Sequence, residues 1–457
     1  MTFPRLTIGT SRERLPSSFV LAAAEALTGR RAYFDTIEKT EGFHRVPLAE
    51  IAVSLPLEAV DQVEFDLATA LENIRSNTPG GILCLRRYSP LFADGLRLEA
   101  ARWGVRHFTI YDGVLSDAHA LKLLKRNYDI VGGKVSPTRL EAYAACPFGY
   151  LSRYILEIEP LVEPEEARTI SPMDKGHLVH TILWKFLTEL KHKKGEPVSV
   201  APEDGALLRR IAGQVFKRFE ETGVTGYPVM WDLEKETMFA WLDGFIEEEA
   251  GQDEFHPAYF EVRYGMKSRT SEESEISTDE PVPLKFGRRR ILLRGRVDRI
   301  DVSRDGRRAR VVDYKTGKPH AKEEDFQGGT TLQLPLYIHA ARHILKNLHP
   351  EIEDLSAEYY HLGARGKKRH IGFSGECLEK KREELGRILN TIADGIAGGL
   401  FFPLPGDLCR WCSLELACGA SRQRMLARKL TDPRAEAFLT MRGEITTEPG
   451  EGGSSDE

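Results

Sequence analysis

Two strand-like runs on either side of a single turn constrain this chain more than any other stretch of it. Residues 290–302 (RILLRGRVDRIDV) and 308–315 (RARVVDYK) each alternate apolar and polar side chains, with Asp305-Gly306 between them. Alternation with period two marks a half-buried strand, and Asp-Gly accepts the positive φ a tight turn needs, so the segment predicts a β-hairpin. Asp298 and Asp313 are read late on the two consecutive strands. Asp313 and Lys315, two residues apart, face the same side. Two carboxylates and an ammonium meeting at one sheet edge are a costly way to pack a protein. They make chemical sense if a hard divalent cation, Mg²⁺ or Mn²⁺, sits between the carboxylates. Such an ion ionises a water near neutral pH and stabilises the charge building on a phosphodiester, while the lysine orients that water. A bare Asp-x-Lys is more often a pair of strand ends with incidental charges. The decision rests on what surrounds it.

Residues 177–190 (HLVHTILWKFLTEL) carry apolar side chains at helical spacing, and His180 lies on that helix in the pattern Gly176-x-x-x-His180. It can add a metal ligand from a second element, although a helix histidine is more often a satisfied core residue, as His177 is read to be. Glu261, in the strand-like YFEVRYG, is a possible additional carboxylate for the same pocket. Gln333 and Tyr337 share a helix face in TLQLPLY, where they can hold a phosphate or the lysine, or serve as ordinary polar residues at a core edge. A net charge of −5 argues against generic coating of nucleic acid. Basic residues nonetheless gather from Lys285 to Lys318, and Arg288, Arg289, Arg290, Arg294 and Arg296 flank the carboxylates as candidate DNA-backbone contacts. Arg365, Lys367, Lys368 and Arg369 make a second cluster. Either run alone reads as a solvated face.

No apolar stretch is long enough to cross a bilayer and the amino terminus lacks a signal-peptide layout, so a cytoplasmic protein with no membrane partner is expected. In that compartment the six cysteines suggest metal binding before disulfides. Cys409, Cys412 and Cys418 are spaced C-x₂-C-x₅-C, and Cys146 lies far upstream in AACPF. Three clustered thiols and a remote one complete a tetrahedral site, with iron–sulfur favoured over zinc because a zinc ribbon more often shows two C-x-x-C pairs. Cys84 and Cys377 are read as buried, inert thiols. A strand is expected at 80–88, a helix around 96–103, and a hinge at Gly132-Gly133-Lys134. Ser136 and Pro137 read as the N-cap and first position of a helix. Helices follow to about Glu249 and again at 331–346 and 378–396, and 267–283 reads as a surface loop. The acidic, Gly/Ser-rich tail 444–457 is expected to be disordered. No GxxxxGK[ST] phosphate loop occurs, so no ATP hydrolysis is inferred for the chain.

Taken in order, GxxxH, GRVDRID, VVDYKTG and QxxxY resemble the motif series of the RecB-type PD-(D/E)XK nucleases, over about Ser136 to Gly419. With the cysteines, the likeness is to the iron–sulfur nucleases of the AddB type within that family. The resemblance implies an α/β, restriction-endonuclease-like fold: a mixed central sheet flanked by helices, with a helical insertion at about 190–255. The nuclease domain would span 133–425, preceded at 1–132 by a smaller α/β unit resembling a helicase remnant and followed by a helical extension at 426–443. It implies His180, Asp298, Asp313 and Lys315 as the catalytic set, the Tyr314 carbonyl as a further metal ligand, and Gln333 and Tyr337 lining the motif after the lysine. It also implies a structural [4Fe–4S] cluster on Cys146, Cys409, Cys412 and Cys418. The expected activity is Mg²⁺-dependent exonuclease cleavage of single-stranded DNA ends in double-strand-break repair and recombination, beside an AddA/UvrD-like helicase subunit. AddB-type chains are much longer, and Arg12 to Phe19 resembles the stretch just before their nuclease. Two rivals stand at this point: a CRISPR-associated iron–sulfur nuclease, and a non-catalytic DNA-binding subunit whose cluster is structural.

Overall fold

The computed structural model describes residues 15–40, 42–43, 53, 55–78, 90–159, 169–267, 274–364, 366, 369–419 and 421–445. The strand expected at 80–88, Cys84, Arg365, Lys367, Lys368 and tail residues 446–457 lie outside them. The chain divides into two compact units, Met1–Leu98 and Glu99–Glu457. The described part of the first unit is helical, with Ser17 capping Ser18–Thr28 and Asp61 capping Gln62–Arg75. The division falls earlier than the expected hinge at Gly132, because residues 99–131 belong to the second unit. Phe108 stacks on Phe402, and the buried ammonium of Lys429 donates to Asp112 at 2.6 Å. Gly132 itself is tied down, its N–H donating to the Arg290 carbonyl.

In the second unit β1 (Lys134–Val135) leads into α1 (Pro137–Ala145), which Ser136 caps by accepting from the Arg139 amide. Then come α2 (Pro172–Lys194), α3 (Gly205–Thr222) and α4 (Pro228–Glu249). The strands β2 (Phe255–Tyr264), β3 (Val282–Phe286), β4 (Arg289–Leu293), β5 (Gly295–Ser303) and β6 (Arg308–Lys315) follow. The chain continues through α5 (Gln333–Leu345), β7 (Asp354–His361), β8 (His370–Ser374) and α6 (Arg382–Ala397). The region read as one helix at 378–396 is two, since Gly375–Lys380 ends before α6 begins. The main sheet runs β2-β5-β6-β7-β8, parallel only between β6 and β7. A parallel pair needs a crossover, and α5 supplies it.

Helices cover both faces of this sheet, so its central strands are apolar on both sides. Val311 and Ala357 pack with Tyr143 of α1, Leu336 of α5 and Ile392 of α6. Val312, Tyr314 and Tyr360 pack on the opposite face with Phe186 of α2, Val215 of α3 and Phe245 of α4. Arg299, fully buried, ties α4 to the sheet: its guanidinium donates to both oxygens of Glu249 at 2.7 and 2.8 Å, to both of Asp301, and to the Tyr314 hydroxyl at 3.1 Å. The run read as a single strand at 290–302 is broken at Arg294. β4 joins a second sheet, β1-β4-β3, and β5 joins the main one. Gly295 permits the crossing, since a Cβ there would lie 2.7 Å from the Tyr264 hydroxyl. Among the described residues no helix is long and apolar enough to cross a membrane.

Candidate active site

The hairpin turns at Gly306, whose φ is 72°. Because β5 and β6 are antiparallel, with Arg299 opposite Val312, Asp298 and Asp313 come opposite each other. Asp298 is therefore early on β5, not late as the sequence suggested. The neighbouring ladder pairs Phe260 with Arg299 and Val262 with Val297, which brings Glu261 opposite Asp298. Three strands thus present three carboxylates in one row. Glu261 adopts φ 50°, a left-handed conformation that costs a non-glycine residue about 1–3 kcal/mol and that concentrates at functional sites.

α2 supplies the fourth group. Ser171 caps the helix, Pro172 occupies its first position, and Val179, Ile182, Leu183 and Phe186 bury one face. His180 on that helix has Nδ1 3.3 Å from Asp298 Oδ2 and Nε2 2.9 Å from the Tyr314 carbonyl. Asp298 Oδ2 also accepts from the Tyr314 amide at 3.0 Å. Ligand atoms of His180, Glu261 and Asp298 all lie within 4.8 Å of one another, the only such metal-capable group among the described residues. Glu261 is countered from outside by Arg296 Nε at 2.8 Å. Asp313 Oδ2 is buried and receives no well-formed hydrogen bond, although Lys315 Nζ stands 2.5 Å away. Lys315 in turn donates to Gln333 Oε1 at 2.9 Å, whose amide donates to the Tyr337 hydroxyl at 3.1 Å.

Electrostatics record the crowding. Burial and the Asp298 charge push Glu261 up to about 7. Burial raises Asp313 to about 6, with Asp298 adding to the rise and Lys315 opposing it. Burial also raises Asp298, but the His180 charge and hydrogen bond, the Lys315 charge and the Tyr314 amide together hold that carboxyl below its ordinary value. Burial disfavours the His180 imidazolium, yet Asp298, Asp313 and Glu261 together lift it to about 9. A buried carboxylate oxygen held only by the Lys315 ammonium, two carboxyls raised towards neutrality and a histidine kept cationic by acids are what a divalent-cation site looks like with protons in the cation's place. The residues fit such an ion.

One residue here was not singled out from the sequence. Glu141 of α1 accepts from the Leu332 and Gln333 amides at 2.7 and 2.8 Å, and burial pushes it up to about 7. Its signal was present: a carboxylate on the helix stripe that also carries the buried Pro137, Leu140 and Ala144.

The structure gathers the arginines only in part. Arg296 pairs with Glu261, Arg289 pairs with Asp394 at 2.7 Å, and Arg294 sits at the break between β4 and β5. Arg288, Arg289 and Arg290 do line, with Lys285, Val131 and Gly132, an open cavity of about 510 Å³ at the β3–β4 hairpin. Of its four cations, Lys285, Arg288 and Arg290 have no carboxylate partner among the described residues.

Cys146 follows α1 directly, Cys409 and Cys412 lie on or beside the turn Asp407–Trp411, and Cys418 ends the short helix Glu415–Cys418. They converge: burial pushes the Cys418 thiol up to about 12, and the other three sulfurs add to the rise. Burial raises the Cys146 thiol against the backbone amides of Leu404 and Gly149, and the Gly406 amide donates to the Cys409 sulfur at 3.4 Å. Amides aimed at sulfur stabilise thiolates, so this set fits a bound metal or cluster. Cys377 is buried elsewhere.

Such a sheet, with acids crossing its central strands, a lysine beside them and helices on both faces, is a restriction-endonuclease-like arrangement. Residues 134–419, more than half of the chain, match the PD-(D/E)XK nuclease superfamily, and the chain belongs to it. Among curated relatives, its sequence is similar to the B subunits of ATP-dependent helicase/deoxyribonucleases from several bacteria. The Symbiobacterium thermophilum protein is 31% identical over 213 residues, 45% of this chain and 17% of that one. The Lacticaseibacillus casei protein is 28% identical over 233 residues, 50% and 19% respectively. The Moorella thermoacetica protein is 28% identical over 214 residues, 46% and 18%. The matched segments thus span less than a fifth of those relatives.

Proposed function

We propose that this chain is a Mg²⁺- or Mn²⁺-dependent deoxyribonuclease that cleaves single-stranded DNA ends delivered by a helicase partner, in double-strand-break repair and recombination. The carrying observation is the carboxylate row Glu261–Asp298–Asp313, closed by His180 and standing beside Lys315. Asp298, Asp313, His180 and the Tyr314 carbonyl would hold the ion, with Glu261 as a further ligand. When bound, the ion supplies an ionised water at neutral pH and charge neutralisation at phosphorus. Lys315, held by Gln333 and Tyr337, orients the attacking water and offers its charge to the phosphate. His180 gives up its proton to become a ligand. Lys285, Arg288 and Arg290, free of carboxylates among the described residues, receive backbone phosphates of the incoming strand. The relatives, B subunits of ATP-dependent helicase/deoxyribonucleases, support DNA as substrate and a helicase as partner.

Cys146, Cys409, Cys412 and Cys418 would carry a structural [4Fe–4S] cluster, joining residues more than two hundred positions apart. Spacing supports it over zinc. Thiolates about 2.3 Å from one zinc crowd within about 4 Å of each other. No three of these sulfurs lie mutually within 4.8 Å.

The test is cleavage of labelled single- and double-stranded DNA by anaerobically purified protein with Mg²⁺ or Mn²⁺, beside Asp313→Ala and Lys315→Ala. Cleavage by the wild type, lost in both variants, is the expected result. A brown, cluster-loaded wild type that binds DNA ends but never cuts them, even with a helicase supplying single strand, would establish the non-catalytic binding subunit instead.

A further inference from the structure

We infer that Glu141 is a positioning residue for the reaction, fixing Lys315 through α5; the inference rests on the nuclease reading of the site. The chain of contacts is short. One Glu141 oxygen accepts both the Leu332 and the Gln333 amides, at 2.7 and 2.8 Å, where α5 begins. These two amides have no carbonyl four residues back to donate to, so the carboxylate acts as the cap that α5 does not obtain from its own residues. Its charge also lies favourably at a helix N-terminus. The Gln333 side chain leaves the same helical turn and accepts from Lys315 Nζ at 2.9 Å. Lys315 stands 2.5 Å from Asp313 Oδ2. Glu141 directs its hydrogen bonds to α5 and not to the ion-binding row, although its charge is felt by Lys315 and Asp313. It sets where α5 starts, α5 sets Gln333, and Gln333 sets the lysine.

α1 gives this arrangement a second consequence. Cys146 follows immediately after α1, so the helix bearing Glu141 ends on a residue of the four-cysteine site. Whatever holds the four thiols together holds the register of α1, and with it the carboxylate under α5. The nuclease centre and the cysteine site, built from opposite ends of the domain sequence, share one helix as their mechanical link.

The experiment uses the full, cluster-loaded chain with Glu141→Ala and Glu141→Gln, reading kcat, the Mn²⁺ concentration for half-maximal rate, visible absorption, and hydrogen exchange of the Leu332 and Gln333 amides. Alanine should lower kcat about 10- to 100-fold, as removal of a supporting group does, with Mn²⁺ half-saturation and absorption unmoved and both amides exchanging faster. Glutamine keeps an acceptor oxygen and should restore most of kcat and of the protection. Removing the cluster from wild type should speed exchange at the same two amides. Unchanged kcat and exchange in Glu141→Ala would overturn the inference. So would a glutamine variant as impaired as alanine, because the charge would then act directly on the reaction. Exchange unaltered by cluster removal would sever the proposed link through α1. A wild type that does not cleave would count against the nuclease reading, and the exchange measurements would still decide whether Glu141 caps α5.

Discussion

Divalent-ion binding should be driven by pH, with a stoichiometry that the acid row specifies. The perturbation is simple titration of the metal-free protein with Mn²⁺ in the absence of DNA. His180 titrates at about 9, Glu261 at about 7 and Asp313 at about 6. A histidine ligates only when neutral, so each ion bound displaces its proton. At pH 7 His180 lies two pH units below its titration point, which weakens the ion by about 100-fold, or about 2.7 kcal/mol, relative to a site already deprotonated. The sign follows: affinity falls as pH drops, by about tenfold per pH unit near pH 8, where His180 alone contributes. The fall is steeper below pH 7, where Glu261 and then Asp313 also bind protons. Calorimetry in two buffers of different ionisation heat counts the protons directly. The expected release is about one per ion near pH 8 and more than two near pH 6, and His180→Gln should release about one fewer at both. An affinity flat from pH 6 to 8, or an unchanged proton count in His180→Gln, would refute the assignment of these groups to one ion site.

Two further outcomes test the surroundings. Replacing Lys285, Arg288 and Arg290 with alanine should weaken DNA binding uniformly across sequences and flatten the salt dependence by about one log–log unit for each phosphate no longer neutralised. Filter binding over a salt series at pH 7 would show this, and an unaltered slope would exclude the hairpin cavity from the DNA path. Arg299→Met leaves buried Glu249 without its guanidinium, while Arg310 still pairs with Asp301 at 2.9 Å, a class of change that costs about 3–5 kcal/mol. Chemical denaturation should show that loss of stability, and full stability in the variant would mean Glu249 is protonated in the fold.

The local parts of this protein were readable because local rules produce them. Asp-Gly and the alternating runs specify the β5–β6 hairpin, Ser136 announces the start of α1, and Asp-x-Lys places two groups on one side of a strand whatever surrounds it. Other features depend on which strands pair and in what register. Glu261 joins the site because β2 lies against β5 in a register that sets it opposite Asp298, information held by two segments more than thirty residues apart. Asp298 was misplaced along its strand because nothing in RILLRGRVDRIDV says that the run changes sheets at Arg294. That break is set by the Tyr264 ring over Gly295 and by pairing with β1 and β3.

Side-chain chemistry follows the same division. Sequence alone determined which residue types were available for metal, phosphate and sulfur chemistry. The tertiary structure decided their protonation and their partners, by burying acids together and by setting Arg289 and Arg296 against carboxylates while leaving Lys285, Arg288 and Arg290 open. It also gave Glu141 its place beneath α5, since desolvation and long-range hydrogen bonding exist only once distant segments have packed.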